Sequence, residues 1–165
     1  MKTKKIKFIY KQQQLQIEYF IRQGKEKTVL FIHGLGCSKN DFKGAASIAE
    51  LQNHTLIAID FPGCGNSSYP QKKAFEIDDL VEITNIIVTK LSLGKFLIMG
   101  HSMGGLIALL YTQRYRETVS GFINIEGNLA AEDCFLSRKI ITLTQLSLFE
   151  NIDIDIIGLK CSKND

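Results

Sequence analysis

Between Phe96 and Leu110 the chain reads FLIMGHSMGGLIALL. One apolar run stops at Gly100-His101-Ser102-Met103-Gly104-Gly105, and a second begins at once. The first run is short and rich in β-formers, as a strand is. The second is long enough for a helix. A serine on a sharp strand-to-helix turn takes an unfavourable backbone angle, so the residues two before and two after it must be small. Gly100 and Gly104 meet that demand. A helix starting there turns its positive end and its unpaired N–H groups toward the serine. The N–H of Met103 is then placed to bind a developing oxyanion. The plainer alternative is a glycine-rich turn with an incidental serine. The strand before and the helix after favour the chemical reading.

The rest of the chain repeats the same plan. Short β-rich runs at Thr28–Ile32, Thr55–Ile59 and Val119–Ile125 end in His33-Gly34, Asp60 and Glu126. Runs without alternation suit parallel strands covered on both faces. Two further strand-like segments, IKFIY and LQIEYFI, come first. In the second, Leu15, Ile17, Tyr19 and Ile21 alternate with Gln16, Glu18 and Phe20, which predicts one exposed face. Three segments between the strands read as helices. One follows Ser38, which forms a capping-box pattern with Asp41. One runs from Phe75 to Leu91, with Leu80, Ile83, Ile87 and Leu91 on one face. The third follows Ser102 directly. The alternation predicts an α/β fold with a mostly parallel sheet and helices on both faces. Ligand sites in such sheets lie outside the carboxyl ends of the strands, where the unusual residues fall.

Bulk properties narrow the classes. At 165 residues the chain is long enough for one domain with a core, and 45% hydrophobic against 22% charged residues is globular composition. The net charge of +3 is small and owes much to MKTKKIK, which reads as a solvated strand. No basic patch is interleaved with aromatics, so nucleic acid is not expected as a partner. No apolar run is long enough to span a membrane, and the N-terminus lacks the apolar stretch of an export signal. The four cysteines, Cys37, Cys64, Cys134 and Cys161, are scattered, without metal-ligand spacing. Free thiols, a cytoplasmic location, no metal and no cofactor are the expectations.

From Ile6 to Ile125 the chain resembles the α/β-hydrolase superfamily. FIHGLG (Phe31–Gly36) is similar to the family's His-Gly loop after its third strand. IDFPGCGNSSYP (Ile59–Pro70) is similar to the Asp-x-Pro-Gly-x-Gly-x-Ser loop after the fourth, with Cys64 where relatives often have His. GHSMGG is similar to the nucleophile elbow, and NIEGN (Asn124–Asn128) stands at the end of the sixth strand. The resemblance implies Ser102 as nucleophile, with the N–H groups of Leu35 and Met103 as the oxyanion hole. Gly34, Gly100 and Gly104 would be the loop and elbow glycines. It implies a structural role for His33 and a His101 that faces away from the reacting centre. Glu126, 24 residues after Ser102, holds the position some relatives use for the acid. A strand-end carboxylate bonding the next turn is the other reading of it, and Asp133 is a weaker candidate acid.

The family order is Ser, acid, His, yet no His follows Ser102. Only six strands are legible, so the expected fold is that of an α/β-hydrolase lacking its last strands. Residues 1–130 read as the N-terminal part of the hydrolase domain, and 131–165 as the start of a cap segment or a non-native tail. The tail repeats an earlier octapeptide: GLGCSKND (Gly34–Asp41) recurs as GLKCSKND (Gly158–Asp165). Three explanations stand for the absent His: a truncated hydrolase, a second chain supplying the missing strands and His, or a fold that no longer catalyses. Two functions follow. One is a serine hydrolase acting on an ester or related acyl bond of a small-molecule substrate. The other is a catalytically incomplete fragment or binding module.

Overall fold

The computed structural model describes residues 1–70 and 75–127. The chain opens with a hairpin of β1 (Lys2–Tyr10) and β2 (Gln13–Arg22), in antiparallel register with Ile6 opposite Ile17 and Phe8 opposite Leu15. Its two-residue turn is Lys11-Gln12, at φ 45° and 58°. Such turns match the twist of the flanking strands, but they favour Asn and Gly, because ordinary side chains crowd the following carbonyl. Gln12→Gly is therefore expected to stabilise the protein by about 0.5–1 kcal/mol. A urea midpoint that stays put or falls would show that the turn holds no such strain.

Four more strands follow: β3 (Thr28–Ile32), β4 (Thr55–Ile59), β5 (Phe96–His101) and β6 (Val119–Ile125). Among the described residues the sheet has six strands, in the order β1-β2-β4-β3-β5-β6. β4, β3, β5 and β6 run parallel, and β2 joins β4 antiparallel. The sheet is thus mixed but mostly parallel, as expected. β1 guards its edge with exposed Lys2, Lys4, Lys5 and Lys7, which discourage pairing with another strand. Among the described residues β6 forms the opposite edge, with Ile123 and Ile125 exposed.

Both faces of the central strands are covered. On one face Leu30, Ile32, Ile57, Ile59, Phe96 and Ile98 pack with α1 (Ile77–Lys90) and α2 (Met103–Arg114). Ile83 and Ile87 of α1 and Ile107 and Tyr111 of α2 are fully buried there. On the other face Phe20, Val29, Phe31, Leu56 and Ala58 meet Phe42 and Ala45. This double burial is why β3 and β4 read as unbroken apolar runs. α1 is also tied to the hairpin: the Tyr10 hydroxyl donates to Asp79 Oδ1 at 2.8 Å. No helix among the described residues is long and apolar enough to cross a membrane.

Two local expectations are corrected. The segment after Ser38 is a 3₁₀ helix, Lys39–Ser47, followed by a short one at Ala49–Leu51, rather than an α-helix. Gly44 weakens an α-helix here, and Phe42 and Ala45 supply too narrow an apolar stripe to hold one against the sheet. The Ser38–Asp41 capping box does form. Second, the other face of β2 is wet only in its first half: Gln14 is exposed and Gln16 half-buried, while Glu18 and Phe20 are 6% and 3% exposed. Phe20 belongs to the second core, and Glu18 meets a buried lysine described below. The segment from 131 to 165, with Asp133 and the repeated octapeptide, lies outside the described residues.

Candidate active site at the carboxyl ends of β3, β5 and β6

Ser102 stands where β5 ends and α2 begins, at φ 52° and ψ −124°. A non-glycine residue in this region stores about 1–3 kcal/mol and persists only when its surroundings hold it there. The surroundings are visible. The Ser102 N–H donates to Ile125 O at 3.0 Å, fastening the corner to the end of β6. The Gly105 N–H donates to Ser102 O at 2.8 Å, starting the helix. A Cβ on Gly100 would run into the Gly104 carbonyl, and one on Gly104 into the carbonyl oxygens of Ile32 and His33. A Cβ on Gly34 would stand 3.0 Å from Ser102 Cβ. The three glycines singled out from the sequence are therefore close-approach positions, and they bring the ends of β3 and β5 together at the serine.

The His33 loop comes next to it. His33 is fully buried. Its Nε2 accepts the Phe61 N–H at 3.1 Å, so the ring proton sits on Nδ1, which donates to Gly34 O at 2.7 Å. Burial lowers its pKa and keeps the ring neutral. With both nitrogens engaged, His33 is a brace and not a base. Leu35 follows at the exposed tip, and Gly36 turns the chain at φ 72°. The imidazole of His101 lies against Gly34, its Nδ1 3.4 Å from where a Cβ would be.

Glu126 follows Ile125 directly, at φ 49°, and is exposed. Ser102 and Glu126, both at positive φ, thus stand at the ends of the neighbouring strands β5 and β6. Asn124 supports this corner: its Oδ1 fills the space beside Gly105 and Gly127 where a Cβ on either would lie.

The sequence reading missed the charged cluster that ties Lys39 to Asp60 and to Glu18 on β2. Lys39 is 3% exposed, with Nζ 2.7 Å from Asp60 Oδ2 and 2.8 Å from Glu18 Oε1. The Lys39 N–H also donates to Asp60 Oδ1 at 2.7 Å. Asp60 further accepts the Asn66 N–H at 3.0 Å, and Ser67 Oγ donates to its carbonyl at 2.8 Å. Gly65 is at φ 50°, and a Cβ there would collide with the Asp60 carboxylate. The Asp60 loop is thus the rigid turn expected of it. The one available signal was Phe20, an apolar residue on β2's supposedly wet face.

Burial pulls the Lys39 ammonium down, but its hydrogen bonds to Asp60 and Glu18 outweigh this and raise its pKa. Burial pushes the Glu18 carboxyl up, while bonds from Lys39 and Asn66 outweigh this and hold it below its ordinary 4.5. A depressed carboxylate contributes stability above its unfolded value and loses it as the pH falls through the folded one. The thermal midpoint is expected to drop on acidification below pH 4.5. Glu18→Gln should flatten that drop, and an unchanged acid limb in the variant would refute the assignment.

The comparisons with known proteins agree with this fold. The profile of the alpha/beta hydrolase fold matches residues 27–146. The chain is 33% identical over 146 residues to a proline iminopeptidase of Lactobacillus crispatus, covering 87% of this chain and 50% of that one. It is 29% identical over 99 residues to a protein of Mycoplasma pneumoniae named as an esterase/lipase, covering 60% of this chain and 37% of that one. A carboxylesterase structure from Nitrososphaera gargenis superposes with a TM-score of 0.71 at 19% identity, over 92% of this chain and 59% of the other, a likeness of fold alone. The chain spans about a third to a half of the length of these curated relatives. With the sheet order, the strained serine corner and the profile match in agreement, the chain belongs to the alpha/beta hydrolase fold family.

Proposed function

We propose that the protein is the Ser102-bearing part of a serine hydrolase that cleaves an ester or related acyl bond of a small-molecule substrate. The observation that carries this reading is the backbone of Ser102, held at φ 52° between a strand and a helix by contacts that admit only glycine around it. Strain of this kind is kept where it serves function. In the reaction, Ser102 Oγ attacks the acyl carbonyl and its proton passes to a base. The N–H groups of Leu35 and Met103 hold the oxyanion. The C–O bond to the leaving group breaks, the proton moves to that group, and water then releases the acid. Glu126 orients the base. The base is a histidine from outside residues 103–165, which contain none.

The lack of a histidine in residues 103–165 favours a second reading, a hydrolase-like binding module. Without its base a serine hydroxyl is a weak nucleophile. Chemical rescue separates the two. A fluorophosphonate probe is expected to label the 165-residue chain at Ser102, faster when free imidazole is added as the base, and to leave Ser102→Ala unlabelled. A folded chain that imidazole cannot make reactive would rule out the hydrolase reading.

A further inference from the structure

We propose that Lys39 is a positioning residue for the loop that carries Leu35, tying that loop to the Asp60 turn and to β2. The proposal rests on reading Ser102 as the nucleophile and the Leu35 loop as half of its oxyanion hole.

The loop from Gly34 to Lys39 is fixed at both ends. At its start Gly34 abuts the Ser102 side chain so closely that a Cβ would stand 3.0 Å away. At its end Lys39 is held three times: by its own N–H at 2.7 Å from Asp60 Oδ1, and by its ammonium at 2.7 Å from Asp60 and 2.8 Å from Glu18. Between these anchors the turn closes through the Cys37 N–H and Gly34 O at 3.3 Å. The Asp60 turn is tied back as well, since the Phe61 N–H donates to His33 and the Glu18 N–H donates to Ser67 Oγ at 2.9 Å. β2, the Asp60 loop and the His33 loop thus form one braced unit, and Lys39 touches two of its three parts while belonging to the third.

The octapeptide Gly34–Asp41 gains a physical meaning from this. Gly34 permits the approach to Ser102, Gly36 turns at φ 72°, Ser38 and Asp41 close the capping box, and Lys39 makes the buried ion pairs. The tail copy, outside the described residues, differs only by Lys160 at the place of Gly36.

A rival role is simpler: Lys39 could serve only to neutralise two buried carboxylates. The two roles part in a variant without buried charge, Glu18→Gln/Lys39→Met/Asp60→Asn. Neutralisation alone predicts that this triple variant regains both folding stability and reactivity. Positioning predicts that stability returns while reactivity does not, because no ammonium bridges the loop to β2. The reactivity readout is the imidazole-assisted rate of fluorophosphonate labelling at Ser102 in the 165-residue chain. Misplacing a reacting group by an ångström can slow a reaction about a hundredfold, so Lys39→Met and the triple variant are expected to label about a hundredfold more slowly than the native chain. The triple variant carries the comparison if Lys39→Met does not fold.

A second readout is amide exchange. In the triple variant the Cys37 and Lys39 amides should exchange faster relative to those of β3 and β4. Labelling of the triple variant at the native rate would overturn the positioning role. If the native chain is not labelled, the hydrolase reading fails and exchange decides. Selective loosening of the loop would then support the brace, and exchange unchanged relative to the core would overturn it.

Discussion

Replacing Lys39 by methionine is expected to lower the unfolding free energy by about 3–5 kcal/mol, the usual result of removing one partner from a buried ion pair. Asp60 is fully buried and Glu18 is 6% exposed, so neither carboxylate reaches enough water to replace the ammonium. Lys5 lies 3.7 Å from Glu18 but is itself half exposed and too far from ideal contact to substitute. Methionine has a similar length and leaves little void, so the loss reports charge and not packing. Equilibrium urea unfolding reads it directly. A loss under about 1 kcal/mol would mean that water or a protonated carboxyl takes the place of the ammonium. The triple variant should recover much of the loss, since apolar or neutral replacements of buried ion clusters are often well tolerated.

Gly104→Ala is expected to cost about 3 kcal/mol or more, at the upper end of overpacking effects. The added methyl would land on the carbonyl oxygens of Ile32 and His33. These are backbone atoms at the end of β3, a strand paired on both sides by β4 and β5, so they cannot step aside as a side chain would. Gly44→Ala supplies the control: nothing lies within 4 Å of a Cβ there. That substitution should change stability by no more than about 0.5 kcal/mol. Comparable losses at both positions would show that glycine's backbone freedom, and not the close approach to β3, sets the requirement at Gly104.

Much of the architecture was legible because its signals are local. β3, β4 and β6 begin and end where their β-rich runs do. The glycines around Ser102 were legible for a steric reason that needs only the strand-turn-helix order. The α1 face was legible from its period, with Leu80, Ile83 and Ile87 buried. The 3₁₀ helix after Ser38 was not, because its capping box looks the same at the head of an α-helix, and the choice depends on how much of the segment the sheet can cover.

The charged cluster shows the limit most clearly. Lys39 stands between Ser38 and Asn40-Asp41, in a stretch whose composition reads as solvated. Its two partners stand 21 residues away in either direction, Glu18 on β2 and Asp60 after β4. No local pattern announces a lysine buried between distant carboxylates. It becomes apparent only once β2 and β4 are paired and the 3₁₀ segment is laid across them. The sequence by itself determined the alternation of strands and helices, the family likeness and the serine corner, since these rest on periodicity and on the small size of glycine. Tertiary structure alone decided which charges are buried, which face of β2 is dry and how the Leu35 loop is held. Those outcomes depend on the desolvation of groups that meet across the fold, and desolvation is a property of the assembled neighbourhood and not of any segment in it.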